Sequence, residues 1–123
     1  MTWEFFTENE LRCKCGCGKA DMHPEFMHRL VGLRRELGFP FVLSSAFRCP
    51  KHNAEVSNTG EEGPHTTGRA VDIQVRGADA VKLVSFAPLY GFKGIGVSQK
   101  GGARFIHIDD LGSPFPRPNI WSY

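Results

Sequence analysis

Three side chains in this sequence are of types that hold a divalent cation, and their spacing lets them meet: His65, Asp72 and His107. Asp72 lies in the run Ala70 to Val75. There Val71, Ile73 and Val75 alternate with Ala70, Asp72 and Gln74, the period of a half-buried strand. A carboxylate in such a strand is costly to bury without a partner. Taken alone, Asp72 reads as a structural carboxylate satisfied by backbone amides or an arginine. His107, between Ile106 and Ile108, reads alone as a satisfied core histidine. Their company changes the reading. His65 precedes Asp72 across a Thr66-Thr67-Gly68 turn, so a loop histidine can fold back beside the strand carboxylate. His107 shares its strand face with Phe105 and Asp109. Two imidazoles and a carboxylate on one sheet face make a three-ligand zinc site with the fourth position left for water, as catalytic zinc requires.

The elements that must position these residues are legible from patterning. Thr7, followed by Glu8 and Glu10, predicts the N-cap of a short helix. Pro24 opens a longer one, whose buried face carries Phe26, Leu30, Leu33 and Leu37 and which Gly38 ends. Phe39 to Leu43 reads as a short strand, Asn53 to Val56 as a helical turn, and Asp79 to Tyr90 as a second long helix. Gly94 to Val97 and Arg104 to Asp109 read as strands joined at Gly101-Gly102. The proline-rich tail from Pro114 reads as a surface wrap. Segregated helices and strands predict an α+β fold, helices packed on a small antiparallel sheet. No repeat, linker or low-complexity tract interrupts the chain, so residues 1–123 read as a single domain.

Several short motifs together carry a resemblance. Ser45-Ala-Phe-Arg48, His52-Asn53, His65-Thr-Thr-Gly68-Arg-Ala70-Val-Asp72-Ile73, Gly94-Ile-Gly96 and Phe105-Ile-His107-Ile-Asp109 resemble the zinc D-Ala-D-Ala carboxypeptidases, which share their fold with the hedgehog signalling domain. The resemblance runs from about Phe5 to Asp110. It implies that His65, Asp72 and His107 bind Zn2+ and that Arg48 binds the substrate carboxylate. A planar guanidinium suits that role, because it forks onto a carboxylate with two parallel hydrogen bonds. The competing reading of Arg48 is a structural salt bridge to Asp72 or Glu55. Ser45 and His52 are expected to shape the same cleft, His52 by substrate contact or by a structural role. Two positions depart from the pattern. Gly63, followed by Pro64, stands where many members have serine. Phe105 and Arg104 stand where several relatives have a histidine or glutamate base.

The chemistry expected is metal-assisted hydrolysis of bacterial cell-wall peptides containing D-Ala, either as a carboxypeptidase or as an endopeptidase. Asp109 is the preferred catalytic base, since strand alternation puts it on the face of His107; the equal alternative is that it orients that ligand. Glu61, Glu62 and His52 are weaker candidates on loops. A different class stays open: a zinc-containing binding or virion module of the same fold that hydrolyses nothing.

Cys13, Cys15, Cys17 and Cys49 have alternate-residue spacing, which is not the usual zinc knuckle. They read as a second, structural zinc pinning the N-terminal loop to the Arg48 segment, as a disulfide from Cys49 to one of the other three, or as reduced thiols without a ligand.

Composition excludes some partners. Net charge is +2 over 123 residues, and no basic-aromatic stripe exists, which argues against nucleic acid. No apolar run is long enough to span a membrane. The acidic N-terminus does not read as a secretory signal, so the expectation is a monomer made in the cytoplasm that reaches peptidoglycan by phage delivery or on lysis, in the manner of an endolysin. In that role endopeptidase action would be the more useful.

Overall fold

A computed structural model describes residues 2–123. The first helix, α1 (Glu8–Leu11), is closed by a reciprocal capping box: Thr7 Oγ1 accepts from the Glu10 backbone N–H, and Glu10 Oε1 accepts from that of Thr7. Helix α2 (Pro24–Leu37) starts with Pro24 behind an N-cap at His23 and stops at Gly38, whose φ is 76°. Strand β1 (Val42–Ser45) and helix α3 (Pro50–Val56) follow, then a 3-10 turn, Pro64–Thr67, that leads into strand β2 (Ala70–Gln74). Helix α4 (Gly77–Phe86) runs on as a 3-10 turn, Ala87–Tyr90, because Pro88 cannot donate the next helical hydrogen bond. Strands β3 (Gly94–Ser98), β4 (Phe105–Asp109) and β5 (Asn119–Ser122) complete the α+β fold.

The sheet order is β1-β2-β4-β3-β5. All neighbours are antiparallel except β3 and β5, so the sheet is mixed and not the antiparallel sheet that patterning predicts. The difference lies in the tail. Instead of only wrapping the surface, residues 119–122 add an edge strand, and their alternation is hidden in sequence by Pro114, Pro116 and Pro118.

One sheet face, carrying Val71, Ile73, Ile95, Ile106 and Ile108, packs into a core with Phe26, Leu30, Leu33, Leu83 and Phe92. Each such fully buried aliphatic or aromatic side chain contributes about 1.5–3 kcal/mol. The other face carries polar residues, but it too is covered: Ala70, Asp72, His107 and Asp109 are all buried. β2 is therefore buried on both faces over Ala70 to Ile73, not half-buried. No helix among the described residues is long and apolar enough to cross a membrane.

Candidate metal centre and cleft

Register brings the ligands together. Asp72 of β2 pairs directly with His107 of β4, so both side chains rise from the same face of adjacent strands. His65 comes from the 3-10 turn before β2, which ends at Gly68 with φ 74°. A Cβ at that glycine would also lie 2.2 Å from the Asp21 carbonyl oxygen, so only glycine lets the turn close there. His65 Nε2 lies 3.3 Å from Asp72 Oδ1, and His107 Nδ1 lies 3.0 Å from the same oxygen. The three donor atoms fall within 4.8 Å of one another.

The other nitrogen of each imidazole is spoken for. His65 Nδ1 donates to the Ala46 carbonyl at 2.8 Å, and His107 Nε2 meets Asp109 Oδ2 at 2.7 Å. These outer partners fix ring orientation and leave one nitrogen of each ring aimed at the shared point, as in histidines that ligate metal. Two imidazoles, each held from behind, and a carboxylate make a donor set that fits a zinc ion.

Charge supports the same arrangement. Burial works against the Asp72 carboxylate, but hydrogen bonds from His107 and His65 outweigh it and hold its pKa well below the usual carboxylate range. Burial likewise opposes a charged His107, yet Asp109 and Asp72 raise its pKa. A cation arriving here displaces that proton, so affinity falls as pH falls. Burial works against a charged Asp109 too. Arg117, with His107, overcomes it and lowers the Asp109 pKa to about 2.

Asp109 stands behind His107, not beside the metal point. It is 0% exposed, and Arg117 forks onto it with Nε and Nη2 at 2.9 and 2.8 Å. It does not line the cleft. Both of its oxygens are engaged, so this position favours the reading in which Asp109 orients His107 over the reading in which it is the base. Glu61, Glu62 and His52 do not line the cleft either, and Asp72 is the one carboxylate that does among the described residues.

The cleft holds about 540 Å³. His65, Asp72 and His107 form part of its lining, with Arg48 and Asn53 nearby and Phe105, Trp121 and Tyr123 as an aromatic wall. A bulge between Leu43 and Ser45 places Ser45 opposite Asp72 and redirects the chain toward Arg48. Arg48 Nε donates to Ser45 Oγ and Nη1 to Asn53 Oδ1, both at 3.1 Å, while Nη2 stays 3.8 Å from Asp72 Oδ2. The guanidinium is thus held by Ser45 and Asn53 and paired at long range with Asp72, where it lines the cleft.

Asn53, not His52, holds this corner. It is buried, and its Nδ2 donates to Thr59 Oγ1 at 2.8 Å and to the Gly60 carbonyl at 2.5 Å. His52 points elsewhere and keeps a buried Nδ1 without a partner. Gly63 is explained by the same network. A Cβ there would lie 2.1 Å from Thr59 Oγ1, so the Thr59 hydroxyl fills the space a side chain at 63 would need.

The tail supplies what sequence patterning missed. Trp121 pairs in register with Gly96 and lies tilted against the His107 ring at 5.2 Å. A Cβ at Gly96 would lie 2.6 Å from Trp121 Nε1, so the bare glycine is what lets the indole reach the histidine. Arg117 in turn covers Trp121 at 4.9 Å. The only sequence signal for this wall is the alternation of Trp121 and Tyr123 with Ile120 and Ser122.

The four cysteines are free thiols whose sulfur atoms also lie within 4.8 Å of one another. A family profile described as peptidase M15 matches residues 4–109, which includes all three candidate ligands, Arg48 and the four cysteines. No curated protein and no solved structure matches the chain significantly. A match over most of the chain, together with a metal-competent triad in an open cleft, settles the assignment: the chain belongs to the M15 family of metal-dependent peptidases.

Proposed function

We propose that the chain is a zinc peptidase that hydrolyses D-Ala-containing peptides of bacterial peptidoglycan. The observation that carries this reading is the convergence of His65 Nε2, Asp72 Oδ1 and His107 Nδ1 beside an anchored arginine in an open cleft. Zinc at that point would supply Lewis acidity toward the scissile carbonyl and a water activated near neutral pH. The chain's own residues do the rest. Arg48 receives the substrate carboxylate, held to its task by Ser45 and Asn53. Trp121 and Tyr123 offer an aromatic wall along which the peptide can lie. Asp109, locked by Arg117, keeps Nδ1 of His107 turned toward the metal.

The role of Asp109 has a direct test. In Asp109→Asn, metal affinity is expected to fall about 10- to 100-fold, the usual cost of losing a partner behind a ligand. Turnover at saturating zinc is expected to stay within a few-fold of wild type. Full metal occupancy with turnover abolished would instead restore Asp109 as the base.

The reading itself is tested by incubating zinc-loaded protein with purified peptidoglycan and analysing soluble products by mass spectrometry. Release of D-Ala would make it a carboxypeptidase, and larger peptide fragments an endopeptidase. One observation favours the second reading, a zinc-stabilised binding module: among the described residues no carboxylate but Asp72 lines the cleft to serve as base. Tight retention of intact peptidoglycan without any product would establish that alternative.

A further inference from the structure

The loop from Cys13 to Gly18 places three thiols at alternate positions, where an extended strand would hold them about 6.5–7 Å apart. They are far closer. Gly16 and Gly18 adopt φ values of 89° and 82°, which turn the chain back on itself, and the Cys13 N–H closes the loop onto the Lys19 carbonyl at 2.8 Å. Cys13 Sγ reaches Cys15 Sγ at 3.4 Å, and Cys15 Sγ reaches Cys49 Sγ at 3.6 Å. Thiolates about 2.3 Å from one tetrahedral zinc ion are separated by about 3.8 Å. These two separations are close to the edge of such a tetrahedron, and all four sulfurs lie within 4.8 Å of one another.

Backbone donors point at the same sulfurs. The Cys49 N–H donates to Cys13 Sγ at 3.3 Å, and the His52 N–H donates to Cys49 Sγ at 3.4 Å. N–H groups directed at sulfur support thiolate character, and a tetrahedral set of four sulfurs selects zinc among the divalent ions that carry no redox chemistry.

We propose that Cys13, Cys15, Cys17 and Cys49 bind a second zinc ion that clamps the N-terminal loop to the start of α3. Cys49 follows Arg48 directly, and the Phe47 N–H is held by the Leu11 carbonyl at 3.3 Å, so the clamp fixes the arm from which Arg48 reaches the cleft. The proposal does not depend on the peptidase reading, because its ligands and its signature are sulfur alone.

Cobalt substitution reads that signature. Wild type and His107→Ala, loaded with Co2+, are both expected to show the near-ultraviolet thiolate-to-cobalt charge-transfer band and the visible bands of tetrahedral cobalt. Cys17→Ser changes an exposed residue and leaves the packed core intact, so it is expected to fold, to lose most of the charge-transfer intensity and to bind one zinc fewer than wild type. The wild-type spectrum stands without any variant. Absence of the charge-transfer band in folded, cobalt-loaded wild type would overturn the proposal. So would reaction of all four thiols in zinc-loaded protein without metal release, or a mass showing a disulfide at Cys49.

Discussion

His107→Ala is expected to lose the metal of the His65-Asp72-His107 centre and, with it, at least about 10³-fold of turnover. The magnitude follows from what the ion supplies. Lewis-acid stabilisation is worth several kcal/mol in the transition state, and each 1.36 kcal/mol is about tenfold in rate. The variant also strands its neighbours. Asp72 loses the hydrogen bond that helps keep it charged, and Asp109 loses one of its three partners while keeping Arg117 and the Leu111 N–H. Asp72 at a buried site then faces fewer donors, and Asp109 keeps only Arg117 and the Leu111 N–H, so thermal stability is expected to fall as well. Elemental analysis, turnover on peptidoglycan and circular dichroism separate the effects. A folded variant that lacks this metal yet retains wild-type turnover would remove the centre from the chemistry.

Arg48→Lys carries the second large effect. The guanidinium is held at two points, by Ser45 and Asn53, and lines the cleft beside Asp72. A lysine keeps the charge but cannot fork onto a carboxylate while remaining anchored. Each charge-assisted hydrogen bond contributes about 1.5–3 kcal/mol, so kcat/KM on peptides with a free terminal carboxylate is expected to fall about 10²-fold or more. On the same peptides with an amidated terminus, wild type and variant are expected to differ little. An equal loss on both substrates would assign Arg48 to holding Asn53 and Asp72 in place instead of binding substrate.

The meeting of Asp72 and His107 was legible because strand alternation is a strong signal. Asp72 and His107 interrupt two Val-Ile runs at positions that must share one face, and pairing in register brings them together. Asp109 shows where that reasoning stops. Same-face neighbours on a strand lie about 6.5–7 Å apart, roughly the span an imidazole bridges between two partners. Alternation therefore identified Asp109 as a companion of His107 but could not say which ring nitrogen it meets, and so which side of the ligand it occupies. The buried Asn53 that holds Arg48 is not evident from sequence, because the turn of α3 that buries it begins at Pro50, earlier than the polar segment suggests. The tail was read as a wrap because prolines mask a four-residue strand. Its parallel pairing with β3 depends on Gly94 and Gly96 leaving room for Arg117 and Trp121, a fit between segments distant in sequence.

The most direct test of the metal centre is a crystal structure of zinc-loaded protein with anomalous differences measured at the zinc edge. The expected result is a peak joined to Nε2 of His65, the carboxylate of Asp72 and Nδ1 of His107, with His107 Nε2 still on Asp109. A fully loaded crystal with no peak at that point, or with the ion on the Asp109 side of His107, would contradict it.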